Sequence, residues 1–242
     1  MHEKYNQLME QEILQSMEIL STNNAPMAVS FTQSDLLRGR VAVLPASFNP
    51  PTVAHLELLE LSKTVPGTHL AAAMLTTQNV SKTIQEESLR HRLAMLMAVR
   101  LTSDVHVLGC NKARIVDQAS VLSSTFPSCA FDFIVGFDTL VRFFDEKFYD
   151  NSQSMIRELS IFFNGCRLIT ANRNEDDVGK VRQWIDDKTG SWKESIIVLE
   201  LNETMRNVSS TIAREAIKEG RSSSFLSPLV QNYITKNNLY RD

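Results

Sequence analysis

Glycine is scarce in this sequence, and the few glycines do not form the usual phosphate-binding loops. The 242 residues include 8 glycines, and neither GxGxxG nor GxxxxGK[ST] occurs among them. The sequence therefore excludes both a dinucleotide-binding Rossmann loop and a P-loop. If this protein binds a nucleotide, other groups must hold the phosphates.

The sequence also has few cysteines, no block of basic residues and no long apolar run. The three cysteines, Cys110, Cys129 and Cys166, stand far apart without a CxxC pair, which favours a reducing compartment, the cytoplasm or the nucleus. The net charge is −3 and there is no basic block, so we expect no nucleic-acid partner. No apolar run approaches the roughly 18 residues of a membrane span, so we expect no membrane association.

What the chain does contain is an alternation of short apolar runs and amphipathic segments. The apolar runs predict strands at 41–46, 70–75, 105–109, 131–136, 166–171 and 195–201. Helices are predicted at 53–63, 88–101, 113–124, 138–147, 152–163, 177–186, 209–219 and 227–237. This alternation predicts an α/β fold, a Rossmann-like parallel sheet with helices on both faces.

The first 38 residues are set apart from this alternation. Residues 3–20 have apolar side chains at helical spacing, and the polar segment STNNAPM follows them. We therefore divide the chain into an N-terminal helical extension, residues 1–38, and a domain of residues 39–242. We expect the domain to fold without the extension. The extension's helix is a candidate contact for a second copy of the chain or for a protein partner.

In open α/β sheets ligands bind beyond the carboxyl ends of the strands, which draws attention to the segment SFNPPTVAH after the first predicted strand. Thr52 can cap the helix that follows, so that His55 lies in its first turn beside unpaired backbone N–H groups. An imidazole there adds a donor to an anion-binding helix end. A capped helix with a packing histidine would explain the same residues without a ligand.

A second segment of this kind is RNVSSTIAREAIKEG, which predicts the start of a helix. Ser209, Ser210 and Thr211 offer hydroxyl and N–H groups at that start. Arg214 lies one turn on from Ser210, so both side chains can reach one anion. Capping serines and a surface arginine are the alternative.

The segment FDFIVGFDTL is a third candidate, because it carries small and polar residues directly after a strand. Gly136 permits close approach of a ligand to the backbone. Asp138 can either cap the next helix or accept hydrogen bonds from ribose hydroxyls.

Together these segments resemble the signatures of the nucleotidylyltransferase superfamily. ASFNPPTVAH is similar to [G]-[S/T]-F-[N/D]-P-x-[H/T]-x-x-H, in the variant with threonine that eukaryotic nicotinamide mononucleotide (NMN) adenylyltransferases use. VSSTIAR is similar to I-S-S-T-x-I-R. Ala46, Ala54 and Ala213 depart from the family pattern. The chain thus resembles the NMN adenylyltransferase family, in a divergent fungal-type branch.

The resemblance implies a nucleotidylyltransferase-type fold and an enzyme that joins ATP to NMN, giving NAD and pyrophosphate, with nicotinic acid mononucleotide also accepted. It implies catalytic roles for His55, Lys82 and Arg214. The ATP-binding residues that it implies are Ser47, Phe48, His55, Lys82, Gly136, Asp138, Ser209, Ser210, Thr211 and Arg214. Those implied for the nicotinamide nucleotide are Ser47, Phe48, Tyr149 and Arg173. Mg²⁺ is expected with ATP, held mostly by substrate and water, since no carboxylate cluster suggests a protein site for a metal.

Two other functions remain open at this point. Tyr149 stands where the family has a ring-stacking tryptophan. This difference keeps open an ATP hydrolase or a nucleotidylyltransferase with another phosphorylated acceptor. The second alternative is a non-catalytic ATP-binding partner protein that docks through its N-terminal helix.

Overall fold

The computed structural model describes residues 2–78, 86–172, 178–221 and 224–241. Within these residues the strands are β1 (Ala28–Ser30), β2 (Gly39–Ala46), β3 (Thr68–Thr76), β4 (His106–Cys110), β5 (Cys129–Gly136), β6 (Arg167–Ala171) and β7 (Ile196–Leu199). The helices are α1 (His2–Thr22), α2 (Val53–Ser62), α3 (Glu86–Arg100), α4 (Ile115–Thr125), α5 (Phe137–Phe143), α6 (Ser152–Phe163), α7 (Val178–Lys188), α8 (Glu203–Arg206), α9 (Ser210–Lys218) and α10 (Pro228–Lys236). In this part of the chain no helix is both long and apolar enough to cross a membrane.

The strands form one sheet in the order β1-β4-β3-β2-β5-β6-β7. All neighbouring strands are parallel except β1 and β4, which are antiparallel. From the centre, the chain moves outward through β2, β3 and β4 on one side and through β5, β6 and β7 on the other. The connections that follow β2 and β5 therefore diverge, which leaves a crevice between them. The predicted Rossmann-like sheet is confirmed.

Helices cover both faces of the sheet, as the apolar runs predicted. In β2, Val41 and Val43 belong to one core, which includes residues of α4 to α7. The alternate residues Ala42 and Leu44 belong to the core on the other face, which includes residues of α1 to α3. Because a strand of a parallel sheet is buried on both faces, it shows in the sequence as a continuous apolar run.

Some elements differ from the prediction. The helix predicted at 138–147 is split into α5 and a 3-10 helix at Glu146–Phe148. The carboxylate of Asp145 accepts from the backbone N–H of Lys147 at 3.2 Å, and this cap starts the second piece. β1 and α8 were not predicted, because three or four residues are too few to show a period.

The N-terminal helix packs against the sheet through Met17 and Leu20, which are 1% and 0% exposed. A side chain at Gly109 of β4 would meet Leu20 Cδ2 at 2.5 Å and Phe31 Cε2 at 2.7 Å, so glycine leaves the room that both residues fill. Full burial of one leucine stabilises a fold by about 1.5–3 kcal/mol. These contacts argue against the expectation that residues 1–38 are dispensable for folding, although the domain division itself stays a prediction.

A buried carboxylate ties strands together near the amino ends of the sheet. Asp132 of β5 is 0% exposed, and its Oδ1 accepts from Arg40 Nη1 of β2 at 2.7 Å. Its Oδ2 accepts from Arg167 Nη2 of β6 at 2.6 Å and from Thr68 Oγ1 of β3 at 2.9 Å. The ligand crevice lies at the carboxyl ends of the strands. The Asp132 network is therefore at the opposite end of the sheet from the crevice.

All three cysteines are free thiols, and two of them are buried. Burial raises the pKa of Cys110 and of Cys166 to about 11. Both thiols therefore stay protonated at neutral pH, which makes them unreactive core residues.

Candidate functional site

A cavity of about 580 Å³ opens at the carboxyl ends of the central strands. The last residues of four strands line it: Ala46, Thr76, Gly136 and Ala171. The cavity spans the point where β2 and β5 lie side by side and their connections diverge, which is where open α/β sheets bind ligands. Its volume falls within the range of small-molecule sites.

His55 lines this cavity from the first turn of α2. Its Nδ1 lies 3.0 Å from the backbone nitrogen of Thr52 and 2.7 Å from Thr52 Oγ1. A backbone N–H can only donate, so Nδ1 accepts, and the proton of the neutral ring is assigned to Nε2. Thr52 is 1% exposed, so this orientation of the ring is held by a buried residue. The tautomer suits a hydrogen bond from Nε2 to a phosphate oxygen.

Ser47 and Phe48, which precede α2, take different positions. Ser47 lines the cavity, whereas Phe48 is 1% exposed and is not among the described lining residues. The rings of Phe48 and His55 are in contact, with centroids 5.1 Å apart. Phe48 has a φ of +44°, an uncommon conformation for a bulky residue. Phe48 therefore supports the imidazole rather than the cavity wall.

The two sequence segments with phosphate-binding signatures contact each other directly. Ser210 Oγ donates to the carbonyl oxygen of Pro50 at 2.8 Å. Arg214 Nη1 donates to the carbonyl oxygen of Asn49 at 2.6 Å. These partners are 160 and 165 positions apart in the sequence, so the tertiary fold alone brings them together.

The start of α9 borders the cavity through Ser209 and Ile212. Ser209 is the N-cap, and its Oγ accepts from the Ile212 N–H at 3.2 Å. Arg214 and Thr211 line a neighbouring cavity of about 310 Å³, where Arg214 Nη2 donates to Thr211 Oγ1 at 3.3 Å. Of the predicted phosphate-binding residues of α9, Ser209 thus lies at the main cavity, and Ser210, Thr211 and Arg214 lie beside it.

Gly136 and Asp138 both lie at the main cavity. Gly136 is the N-cap residue of α5, and a side chain at this position would meet nothing within 4 Å. The space next to its backbone is therefore open to a ligand. Asp138 is exposed in the first turn of α5, where its carboxylate can accept hydrogen bonds from a bound molecule.

Tyr149 is not part of the cavity wall that the structure describes, and Lys82 and Arg173 lie outside the described residues. The Tyr149 hydroxyl donates to the carbonyl oxygen of Phe143 at 2.6 Å, and the Arg114 guanidinium covers the ring at 5.2 Å from its centroid. Burial raises the pKa of Tyr149 to about 12. A base cannot stack on the face that Arg114 covers, so the stacking role stays a prediction that needs either the opposite face of the ring or a movement of Arg114.

Two arginines of the cavity wall were not identified from the sequence, Arg142 of α5 and Arg206 of α8. Arg206 Nε donates to the carbonyl oxygen of Leu201 at 3.2 Å, which holds the guanidinium at the wall. Arg206 could have been identified from the sequence by its position three residues before Ser209, in RNVSSTIAR. Arg206 Nη2 also donates to the Glu200 carboxylate at 3.1 Å, so Arg206 is partly neutralised, whereas Arg142 and His55 remain as cationic or donor groups of the wall.

Gln118 Oε1 and Arg92 Nε are among the buried polar atoms that have no hydrogen-bond partner within the described part of the chain. Gln118 lines the main cavity, and its Nε2 donates to the carbonyl oxygen of Lys112 at 2.9 Å. Arg92 Nη1 lies 3.5 Å from the carbonyl oxygen of Ser47, and burial lowers the pKa of this guanidinium. Unpaired buried groups cost about 1–3 kcal/mol each, so they mark places where a ligand or water completes the bonding.

A model of the cytidylyltransferase-like family matches residues 43–216. The match covers more than half of the chain and contains the first signature, the Gly136 segment and the second signature. Two curated relatives are similar in sequence, and both of their names are provisional assignments. A Schizosaccharomyces pombe nicotinamide mononucleotide adenylyltransferase is 27% identical over 74% of this chain and 76% of that protein. A Lachnoclostridium phytofermentans nicotinate-nucleotide adenylyltransferase is 26% identical over 83% of this chain and 98% of that protein.

Two solved structures of Plasmodium falciparum nicotinic acid mononucleotide adenylyltransferase resemble the fold. The complex with NaAD has a TM-score of 0.63 and is 17% identical, covering 83% of this chain and 97% of that chain. The complex with APC has a TM-score of 0.59 and is 16% identical, covering 84% of this chain and 98% of that chain. At these identities the likeness supports the fold alone, and it agrees with the predicted nucleotidylyltransferase-type architecture.

Proposed function

Since the chain belongs to the cytidylyltransferase-like family, we propose that it is an adenylyltransferase of NAD biosynthesis. It transfers the AMP group of ATP to the phosphate of NMN, which gives NAD and pyrophosphate, and it also accepts nicotinic acid mononucleotide. The names of the two sequence relatives support this choice of acceptor. The observation that carries the proposal is the direct contact between the two phosphate signatures beside one cavity, through Ser210 with Pro50 and Arg214 with Asn49.

The proposed reaction needs no protein nucleophile. An oxygen of the NMN phosphate attacks the α-phosphorus of ATP and forms the new P–O bond. The bond from the α-phosphorus to the bridging oxygen breaks, and pyrophosphate leaves with that electron pair. The acceptor phosphate is already ionised at neutral pH. The protein's tasks are to hold both substrates in line and to stabilise the charge that develops on the phosphate oxygens.

His55 and the two helix starts are suited to the phosphates of ATP. In this proposal the Nε2–H of His55 donates to an α- or β-phosphate oxygen. The unpaired N–H groups at the start of α2, where the helix dipole is positive, also attract the phosphate. In the same proposal the β- and γ-phosphates are held by Lys82 and by residues at the start of α9: Ser209, Ser210, Thr211 and Arg214. Arg214 is already bound to the loop before α2 through Nη1 and to Thr211 through Nη2, so binding a phosphate would share or replace one of these bonds.

The remaining proposed contacts concern the nucleosides and the metal. Gly136 and Asp138 line the cavity where a ribose of ATP would lie, and Ser47, Phe48, Tyr149 and Arg173 are proposed for NMN. Within the described residues no group of three side chains could hold a metal ion, and Asp138 is the carboxylate of the cavity wall. This donor set fits Mg²⁺ held by phosphates and water, and such an ion neutralises phosphate charge when it is bound with ATP. We further propose the cytoplasm or the nucleus as the location.

One observation favours a second candidate, an adenylyltransferase with another phosphorylated acceptor or an ATP hydrolase. Tyr149, the residue predicted to stack on the nicotinamide, is covered by Arg114 and does not line the described cavity. Without an aromatic stack the site would select a pyridine base poorly. ATP use would be unaffected, since it depends on the phosphate contacts.

One assay separates these functions. The purified chain is incubated with ATP and Mg²⁺ together with NMN, nicotinic acid mononucleotide, phosphopantetheine or water alone, and the products are separated by chromatography. NAD with an equal amount of pyrophosphate is the expected result for NMN. ADP and phosphate in water alone, or pyrophosphate only with another acceptor, would support the second candidate. Tight ATP binding without any product would support the non-catalytic partner protein instead.

A further inference from the structure

The loop of residues 47–50, which leads into the helix of His55, is held by side chains from three distant parts of the chain. Every one of these contacts donates to an oxygen of the loop. The donor and acceptor pairs are Arg92 Nη1 with Ser47 O at 3.5 Å, Arg214 Nη1 with Asn49 O at 2.6 Å, Ser210 Oγ with Pro50 O at 2.8 Å and Tyr240 OH with Asn49 Oδ1 at 2.6 Å. The first three belong to α3 and α9, and the fourth belongs to the segment after α10.

We propose that Tyr240 is a positioning residue for His55 in the proposed adenylyl transfer, so this inference rests on the proposed function. Tyr240 binds the side chain of Asn49, and Asn49 directly follows Phe48, whose ring packs against the imidazole of His55 at 5.1 Å. The path from Tyr240 to His55 therefore consists of one short hydrogen bond, one peptide bond and one ring contact. Nothing in the sequence signatures points to this residue.

The backbone of the segment after α10 supports a specific role for Tyr240. Asn238 has a φ of +51° and Tyr240 a φ of +62°, both in the left-handed region. Asparagine is common there, but a tyrosine is not, and such a conformation costs on the order of 1–3 kcal/mol. The strained turn brings the phenol back from the end of α10 to the loop. Strain of this kind persists where the surrounding contacts outweigh it, and the contact with Asn49 is one of them.

Burial keeps the phenol a donor at this position, against the opposite effect of the nearby arginine charges. Tyr240 packs against the core cluster formed by α3, α9 and α10, and burial raises its pKa to about 12. The hydroxyl thus stays protonated at any pH at which the enzyme would work. The nearby guanidinium groups of Arg92 and Arg214 interact electrostatically with Tyr240, so the phenol lies among the cations that hold the loop.

The expected consequence is a change in turnover with little change in binding. Without the hydroxyl, Asn49 and Phe48 gain freedom and His55 spends less time in the productive orientation. Misplacement of a catalytic group by about 1 Å can cost up to 10²-fold in rate, so we expect Tyr240→Phe to lower kcat about tenfold. Tyr240 also lines the small cavity of Arg214 and Thr211, but its hydroxyl is bonded to Asn49 Oδ1. The KM values for ATP and NMN should therefore change less than about twofold.

Tyr233→Phe is the matched control. Tyr233 also belongs to the C-terminal part of the chain, and its hydroxyl lies 3.0 Å from His91 Nδ1, at the contact between α3 and α10. This variant loses a half-buried hydroxyl contact close to Tyr240, and the contact that it loses is with α3 rather than with the loop of residues 47–50. Melting temperatures of both variants show how much stability each loses. A similar fall of kcat in both would mean that any loosening of this region lowers activity, and it would overturn the inference.

Two further measurements make the test independent of the enzymatic assay. Asn49→Ala should lower kcat by itself, and adding Tyr240→Phe to it should have no further effect, whereas additive losses would contradict the proposed path. The imidazole NMR signals of His55, assigned with His55→Gln, should shift in Tyr240→Phe and stay in place in Tyr233→Phe. Unchanged His55 signals in Tyr240→Phe would overturn the inference even if the protein had no adenylyltransferase activity, which would contradict the proposed function separately.

Discussion

At the scale of single residues, the orientation of His55 depends on its own helix cap. The backbone N–H of Thr52 occupies Nδ1 at 3.0 Å, so the ring presents Nε2 as its donor. The capped-helix explanation considered for SFNPPTVAH and the phosphate-binding explanation are therefore compatible. The cap itself sets the tautomer that a phosphate would need.

The prediction at this scale concerns His55→Ala. A donor aimed at charge that develops in the transition state is worth about 10²–10³ in rate, so kcat should fall by that factor while the affinity for ATP changes little. His69→Ala is the control, because His69 is exposed near the amino end of β3. Steady-state kinetics and direct ATP titration of both variants measure the effect. A His55→Ala variant with the wild-type kcat would show that this imidazole only packs.

At the scale of elements, the N-terminal segment contributes to the fold in two ways. β1 adds an antiparallel strand to the edge of the sheet at β4, and α1 covers the same region through Leu20. Gly109 of β4 leaves room for this contact, since any side chain there would collide with Leu20 and Phe31. A role of α1 as a contact for a second copy or a partner stays a prediction, and its buried face is not available for it.

Two neighbouring positions of α1 provide a matched test of this packing. Leu20→Ala should lower the free energy of unfolding by about 2–5 kcal/mol, because it opens a cavity between α1 and the sheet. Ile19 is 45% exposed, so Ile19→Ala should change the stability by no more than about 0.5 kcal/mol. Urea denaturation followed by circular dichroism measures both. Equal small effects would mean that residues 1–38 are the removable extension that the sequence suggested.

At the scale of the whole molecule, the two ends of the sheet carry different tasks. The carboxyl ends open into the cavity with its arginines and histidine, whereas near the amino ends the buried carboxylate of Asp132 links β2, β3, β5 and β6. A residue near the amino ends is therefore expected to affect stability without affecting chemistry.

Asp132→Asn tests this separation. The change leaves Arg40 and Arg167 without their carboxylate, and breaking a buried ion pair costs about 3–5 kcal/mol. The arginines keep 29% and 25% of their side-chain surface exposed, so we expect a loss near the lower end, about 3 kcal/mol. Asp145→Asn, which alters an exposed ion pair with Lys147 and keeps a capping side chain, should leave the stability close to the wild-type value. The kcat per folded molecule should stay at the wild-type value in both variants, and a large fall of kcat in Asp132→Asn would contradict the separation.

The sequence by itself determined the alternation of strands and helices and the two segments that resemble the family signatures, because periodicity and capping act over a few residues. It also placed Ser47, His55, Gly136, Asp138 and Ser209 correctly at the ends of strands and the starts of helices, and all five line the cavity. Only the tertiary structure decided how distant segments meet. Arg214 and Tyr240 donate hydrogen bonds to Asn49, Leu20 packs against Gly109, and Arg114 lies over the ring of Tyr149. Each of these contacts joins residues that are far apart in the chain. No local pattern encodes such contacts, because they depend on how whole helices and strands pack and on the space left between them.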